Sequence, residues 1–145
     1  MEYIQASLRE CKELAELAIH MWSSHTIEEL EKDFGAIIES GKGAIFLLKH
    51  QQKSIGFAQC SLRYDYVEGT NSSPVAYLEG IYIQEEYRKL GLARGLLEQC
   101  ENWAKQQGCT QFASDCELDN ETSYAFHLKV GFLEANRVIC FTKEI

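Results

Sequence analysis

Apolar residues recur along the chain with two periods, and each change of period marks a new element. After Ser7, residues Leu14, Leu17, Ala18 and Met21 fall on one helical face, and Ser7 with Glu10 three positions on has the form of a capping box. Thr26 with Glu29 repeats that signature ahead of Leu30, Phe34, Ile37 and Ile38, a stripe that Ser40-Gly41 closes. The joint between the two helices, Trp22-Ser23-Ser24-His25, carries a large aromatic. Short runs rich in β-branched and aromatic residues predict strands at Tyr3–Ala6, Ala44–Lys49, Ser54–Tyr64, Tyr77–Ile83, Gln111–Cys116 and Arg137–Thr142. His50-Gln51-Gln52-Lys53 reads as a hairpin turn, and Asp65–Pro74 as a polar loop. Leu92, Leu96, Leu97, Cys100, Trp103 and Ala104 form the stripe of a longer helix that stops before Gly108. Asn120 is placed to cap a short helix over Glu121–Lys129, which Gly131 ends. This order implies a mixed sheet with helices packed on it, of the α/β (α+β) class.

Composition narrows the picture. A chain of 145 residues with 46% hydrophobic content and one proline suits a single domain over 1–145 with one core. A formal net charge of −8 argues against nucleic acid as a partner and favours a cationic small molecule. The six cysteines form no C-x-x-C pair and fall largely on apolar positions, which reads as reduced thiols in a cytoplasmic protein. The four histidines do not cluster with them, so no metal is expected. The N-terminus lacks the apolar core of a signal peptide and no run is long enough to span a membrane, so no membrane is expected as a partner.

The candidate chemistry gathers around the fourth predicted strand. Arg88-Lys89-Leu90-Gly91-Leu92-Ala93 joins it to the long helix, with Arg94 just inside. The first amides of a helix lack internal partners and carry the positive end of its dipole, so a glycine-containing basic turn there suits a phosphate. A β–α turn with a solvated basic rim has the same composition. Glu79 lies mid-strand between Leu78 and Gly80, a poor place for a charge unless it faces a polar cleft or water at an edge. Asp115 ends the next strand, where ligands gather in open α/β sheets and where acidic turn residues are also common.

The turn Arg88-x-x-Gly91-x-Ala93, after a strand and opening a helix, resembles the acetyl-CoA pyrophosphate loop of the GCN5-related N-acetyltransferase (GNAT) superfamily, with Asn120 and Gly131-Phe132 at its next markers. Met21-Trp22, Tyr66-Val67-Glu68-Gly69, Ser72-Ser73-Pro74-Val75, Leu78-Glu79-Gly80-Ile81 and Ala113-Ser114-Asp115 resemble one group within it, the aminoglycoside 6'-N-acetyltransferases. The resemblance implies the GNAT fold, a mixed, mostly antiparallel sheet whose central parallel strands splay apart, flanked by about four helices. It implies acetyl-CoA as co-substrate, without a metal, and direct transfer to the 6'-amine of an aminoglycoside. Cofactor contacts would come from Ile81, Tyr82 and Ile83, from Arg88, Lys89, Leu90, Gly91, Leu92, Ala93 and Arg94, and from Asn120 and His127. Glu79 and Asp115 would lie at the substrate amine as catalytic groups, with Trp22, Tyr66 and Asn136 as further substrate contacts. His127 stands where many members place a tyrosine as general acid for the departing thiolate. The resemblance also implies a homodimer built on the apolar stretch Val138–Phe141, residues that a buried strand of the monomer explains equally well. Two other readings share the loop: an acetyltransferase for a polyamine or a peptide N-terminus, and a non-catalytic acyl-CoA-binding domain.

Overall fold

The computed structural model describes residues 1–145. Five strands, β1 (Glu2–Gln5), β2 (Gly43–His50), β3 (Lys53–Arg63), β4 (Val75–Ile83) and β5 (Phe112–Ala113), lie side by side in chain order. The first four pair antiparallel, and β5 joins β4 in parallel. A parallel neighbour cannot be reached by a tight turn, and α3 (Leu92–Gln106) provides the crossover. The other helices are α1 (Cys11–Ala18), α2 (Ile27–Ser40) and α4 (Glu121–Lys129).

The sheet buries both faces. Leu14 and Leu17 of α1, with Leu30 and Phe34 of α2, pack against Ile45, Leu47 and Phe57. On the opposite face Leu96, Leu97, Cys100 and Trp103 of α3 pack against Phe46, Leu48, Ala58, Cys60 and Leu78. Alternate residues of β2 therefore enter different cores, which explains why Ala44–Leu48 is an unbroken apolar run.

Both helix-start signatures are present, with different outcomes. Thr26 Oγ1 accepts from Glu29 N–H at 3.1 Å, and α2 runs to Gly41 in the left-handed region. The Glu10 carboxylate accepts from Ser7 N–H at 2.7 Å, but the first turn, Leu8–Glu10, is a 3-10 turn and α1 starts only at Cys11. Met21, expected on that helix, lies beyond its end at Ala18.

Three expectations about strands need correction. β4 begins at Val75 rather than Tyr77, because Val75 and Ala76 continue the ladder to Arg63 and Leu62. β5 pairs only at Ala76–Phe112 and Tyr77–Ala113, so most of the expected Gln111–Cys116 strand is unpaired and the two strands part beyond Tyr77. Residues 137–142 form no strand. Alternation alone does not bring them into the sheet, and Val138, Ile139 and Phe141 are 68%, 82% and 88% exposed.

A β-bulge sets the chemistry. Ser61 faces Tyr77 and Cys60 faces Leu78, but Gln59 faces Gly80, so Glu79 is the extra residue on β4. Gln59 and Ser61 share one side of β3, the α1–α2 side with Phe57. Tyr77, Glu79 and Gly80 are thereby brought to that same side.

Candidate active site

A cluster of charged and aromatic groups sits on the sheet face beyond the ends of α1 and α2. Glu79 Oε1 accepts from the Ser61 hydroxyl at 2.6 Å and from Arg63 Nε at 3.1 Å, and Arg63 Nη2 reaches both carboxylate oxygens at 3.0 Å. The Arg63 guanidinium also stacks 3.4 Å over the centroid of the Tyr77 ring. The Tyr77 hydroxyl donates to Asp115 Oδ2, tying β4 to the segment after β5. Glu79 and Asp115, far apart in sequence, thus belong to one network.

Burial, reinforced by the hydrogen bond to the Asp115 carboxylate, pushes the Tyr77 phenol well above its ordinary range. Burial raises Tyr3 as well, with the negative charge of Glu98 adding to it. The folded chain keeps these protons where an unfolded chain has lost them. Their contribution to stability is full below the ordinary phenol pKa of about 10 and is lost as pH rises through the shifted values. In an alkaline titration followed by tyrosinate absorbance, Tyr3 and Tyr77 should ionise late, above the ordinary phenol range. Tyr77→Phe should remove one of the late ionisations. An unchanged late phase in that variant would place Tyr77 among the ordinary phenols.

Aromatic walls flank the carboxylates unequally. Trp22 is half-buried against Phe34 and Phe57, with ring centroids 6.3 and 5.8 Å away. It fits because Gly80 has no side chain: a Cβ there would stand 2.6 Å from both the Trp22 ring and the Met21 methyl. Beside Trp22, between α2 and β3, opens a cleft of about 440 Å³ lined by His25, Asp33, Phe34 and Gln59 among others. Tyr66, by contrast, is 78% exposed on the loop between β3 and β4. Asn136 donates to Glu68 on that loop at 3.0 Å, so the two are paired with each other.

The basic turn leads into an open helix N-terminus. Gly91 stands at the N-terminus of α3 with φ 76°, and Lys89 two residues earlier has φ 63°. A Cβ on Gly91 would meet no protein atom within 4 Å, so its outer face is open. Tyr3 steadies this end of α3 by donating to Leu92 C=O at 3.1 Å. The side chains of the turn are not all free. Arg88 Nε donates to Ile83 C=O at 2.8 Å, and Arg94 Nη2 donates to Lys129 C=O at 3.0 Å, linking α3 to the end of α4. Leu90 is exposed, whereas Leu92 and Ala93 pack against the α3 core.

Between the turn and the carboxylates lies the gap where β4 and β5 separate. Ile81 and Ile83 point into the α3 core, and Tyr82 stacks on His20 on the opposite face, with ring centroids 6.0 Å apart. The β5-facing backbone edge from Leu78 onward has no ladder partner. Asn120 Oδ1 accepts from Ser123 N–H at 3.1 Å, which makes it the N-cap of α4. His127 on that helix has Nδ1 2.7 Å from Ser123 C=O and Nε2 2.7 Å from the Ser114 hydroxyl. A carbonyl oxygen only accepts, so the neutral ring carries its hydrogen on Nδ1 and accepts from Ser114 through Nε2. Ser114 Oγ lies 3.4 Å from Leu78 C=O, at the mouth of the gap.

Four participants escaped the sequence reading: Ser61, Arg63, Tyr77 and Ser114. For the first two a signal existed, since Gln59, Ser61 and Arg63 place three polar side chains on one side of a strand. Nothing in the sequence pairs Tyr77 with Asp115, 38 residues away. No group of three or more His, Cys, Asp or Glu stands together to hold a metal ion.

The profile of the family described as "Acetyltransferase (GNAT) family" matches residues 6–132. The aminoglycoside N(6')-acetyltransferase type 1 of Acinetobacter baumannii is 43% identical over 125 residues, 86% of each chain. The protein of the same name from Acinetobacter haemolyticus is 40% identical over 141 residues, 97% of this chain and 96% of its own. Among solved structures, AAC(6')-Iy in complex with the bisubstrate analog CoA-S-monomethyl-acetylneamine superposes with a TM-score of 0.95 at 32% identity, covering 99% of this chain and 98% of that one.

Proposed function

The chain belongs to the acetyltransferase (GNAT) family, and from that premise we propose that it transfers the acetyl group of acetyl-CoA to the 6'-amine of an aminoglycoside. The observation that carries this reading is the Glu79–Asp115 network beside an open strand edge and an open helix N-terminus. Relatives at 35–43% identity bear the name aminoglycoside N(6')-acetyltransferase, which supports the choice of acceptor.

Acetyl-CoA supplies an acetyl group already activated as a thioester. The chain's own residues do the rest. The amides at the N-terminus of α3, with Gly91 admitting close approach, receive the pyrophosphate. Arg88, Lys89, Leu90, Leu92, Ala93 and Arg94 shape that turn, Arg88 and Arg94 by holding the backbone of β4 and α4 in place. The unpaired edge at Ile81, Tyr82 and Ile83 offers main-chain groups to the pantetheine arm, and an amide near Ile81 serves the developing oxyanion. Asn120 and His127 border the same gap from α4. Glu79 and Asp115 receive the amine and the proton it must lose, since an ammonium has no lone pair to attack with. Trp22, Tyr66 and Asn136 line the acceptor side, where flat aromatic surface suits a cationic sugar. A CoA thiolate leaves without protonation, so no general acid is required of His127.

We further propose that the enzyme is a cytoplasmic homodimer. The exposed apolar stretch Val138–Phe141 supports the dimer, because apolar surface left open in one copy is covered by a second. All six cysteines are free, which supports a reducing compartment; no helix is long and apolar enough to cross a membrane.

The direct test is release of free thiol from acetyl-CoA across a panel of amines. Kanamycin or tobramycin should turn over, while a polyamine and a peptide α-amine should be poor acceptors. Preference for either of the latter would overturn the assignment of the acceptor. Acetyl-CoA binding with no turnover of any amine would overturn the enzyme itself.

A further inference from the structure

We propose that Arg63 is a built-in cation that occupies the acceptor-ammonium position on Glu79, so that a substrate must displace it and simple amines are excluded. The inference rests on the proposed acceptor chemistry and concerns a residue to which that chemistry gives no role.

The site around Arg63 is what a substrate ammonium would itself require. Its guanidinium is forked onto Glu79, with Nη2 3.0 Å from each oxygen and Nε 3.1 Å from Oε1. Beneath it lies the Tyr77 ring at 3.4 Å, and the Tyr77 hydroxyl is bonded to Asp115. One carboxylate and an aromatic face therefore hold the cation, and a second carboxylate sits on the hydroxyl of that aromatic ring. Arg63 supplies one positive charge against two negative ones, leaving a net charge of about −1 for the cluster.

Exposure makes the contact exchangeable. The Arg63 side chain is 43% exposed and that of Glu79 25%, so the guanidinium can leave into water without crossing the core. Partly exposed ion pairs are weak enough to be exchanged. The fork decides what can exchange with them. A lone ammonium is a point charge and cannot reproduce two parallel hydrogen bonds to a carboxylate. Several ammonium groups on one rigid scaffold can, because binding of one raises the local concentration of the next. Arg63 therefore yields to a polycation and resists a monoamine. Ser61 remains on Glu79 throughout and keeps the carboxylate oriented after Arg63 departs.

The experiment compares the wild-type chain with Arg63→Met and Arg63→Lys on two acceptors bearing the same reacting group. One is kanamycin, and the other is methyl 6-amino-6-deoxyglucoside, a monocation. Arg63→Met should lower KM for the monoamine by about tenfold, as expected when a competing charge is removed from a partly solvated site. KM for kanamycin should fall by a similar factor, because both acceptors displace the same cation, and the monoamine should thereby become a measurable substrate. Arg63→Lys, which keeps the charge but loses the fork, should fall between the two and guards against a Met variant that does not fold. A fall in kcat for both acceptors with KM unchanged, restored by Arg63→Lys, would show instead that Arg63 merely positions Glu79. Unchanged or weaker monoamine affinity in both variants would overturn the proposal outright. Calorimetric binding of the two amines reads Arg63 without turnover. Absence of acetyl transfer in the wild type would therefore count against the proposed function and leave the Arg63 result legible.

Discussion

Glu79→Gln and Asp115→Asn are each expected to lower kcat/KM for kanamycin at neutral pH, by about 10²–10⁴-fold for the one that takes the proton. Both substitutions conserve volume, so the cores on either side of the sheet are untouched. Their consequences differ in a way the network dictates. Glu79→Gln removes the counter-charge of Arg63 and leaves an unneutralised guanidinium beside the acceptor amine, so KM should rise along with any loss in kcat. Asp115→Asn leaves Tyr77 with an amide oxygen as acceptor and weakens the attraction for the ammonium without freeing a cation. Raising the pH separates the roles. A defect in proton removal recovers as the amine loses its own proton, whereas a defect in ammonium binding does not. Wild-type kcat/KM in both variants at neutral pH would remove both carboxylates from the mechanism.

Gly91→Val is expected to abolish tight acetyl-CoA binding while the chain stays folded. Gly91 has φ 76°, a left-handed conformation that costs an L-residue roughly 1–2 kcal/mol and a β-branched one more. The turn is exposed and joins elements anchored elsewhere, so this strain is relieved by local rearrangement rather than by unfolding. Under the proposed function the pyrophosphate takes the open space around Gly91, which a valine side chain would fill. Calorimetry should show affinity reduced by well over tenfold, about 1.4 kcal/mol or more, with the cooperative unfolding transition retained. Gly91→Ala, with a smaller group and less strain, should fall in between. Undiminished affinity in the valine variant would place the cofactor away from this turn.

The strand–turn–helix unit at 77–107 was legible because each of its signals is local. The apolar run, the glycine in a basic turn and the helical stripe lie within a few residues of one another, and Gly91, α3 and all of β4 but its first two residues stand where those signals put them. The caps at Thr26 and Asn120 were legible for the same reason. The Glu79–Asp115 network was not, because its contacts join residues on neighbouring strands whose register depends on a bulge. Glu79 was identifiable as an awkward charge in a strand, but its partners Ser61 and Arg63, 18 and 16 residues upstream, are set only by the register of β3 against β4. Asp115 was placed by its position at a strand end, although β5 proper stops at Ala113. The expected strand at 137–142 shows the limit of periodicity. Alternation makes a segment competent to pair, and residues 137–142 nonetheless join no strand of the sheet.

The position of the acetyl group on the product tests the central claim most directly. Kanamycin or tobramycin incubated with the protein and acetyl-CoA should gain one acetyl group by mass spectrometry, and NMR should place it on the 6'-amine. A congener with a hydroxyl in place of that amine should not turn over. Acetylation at another amine of the drug, or turnover of the 6'-hydroxyl congener, would contradict the account.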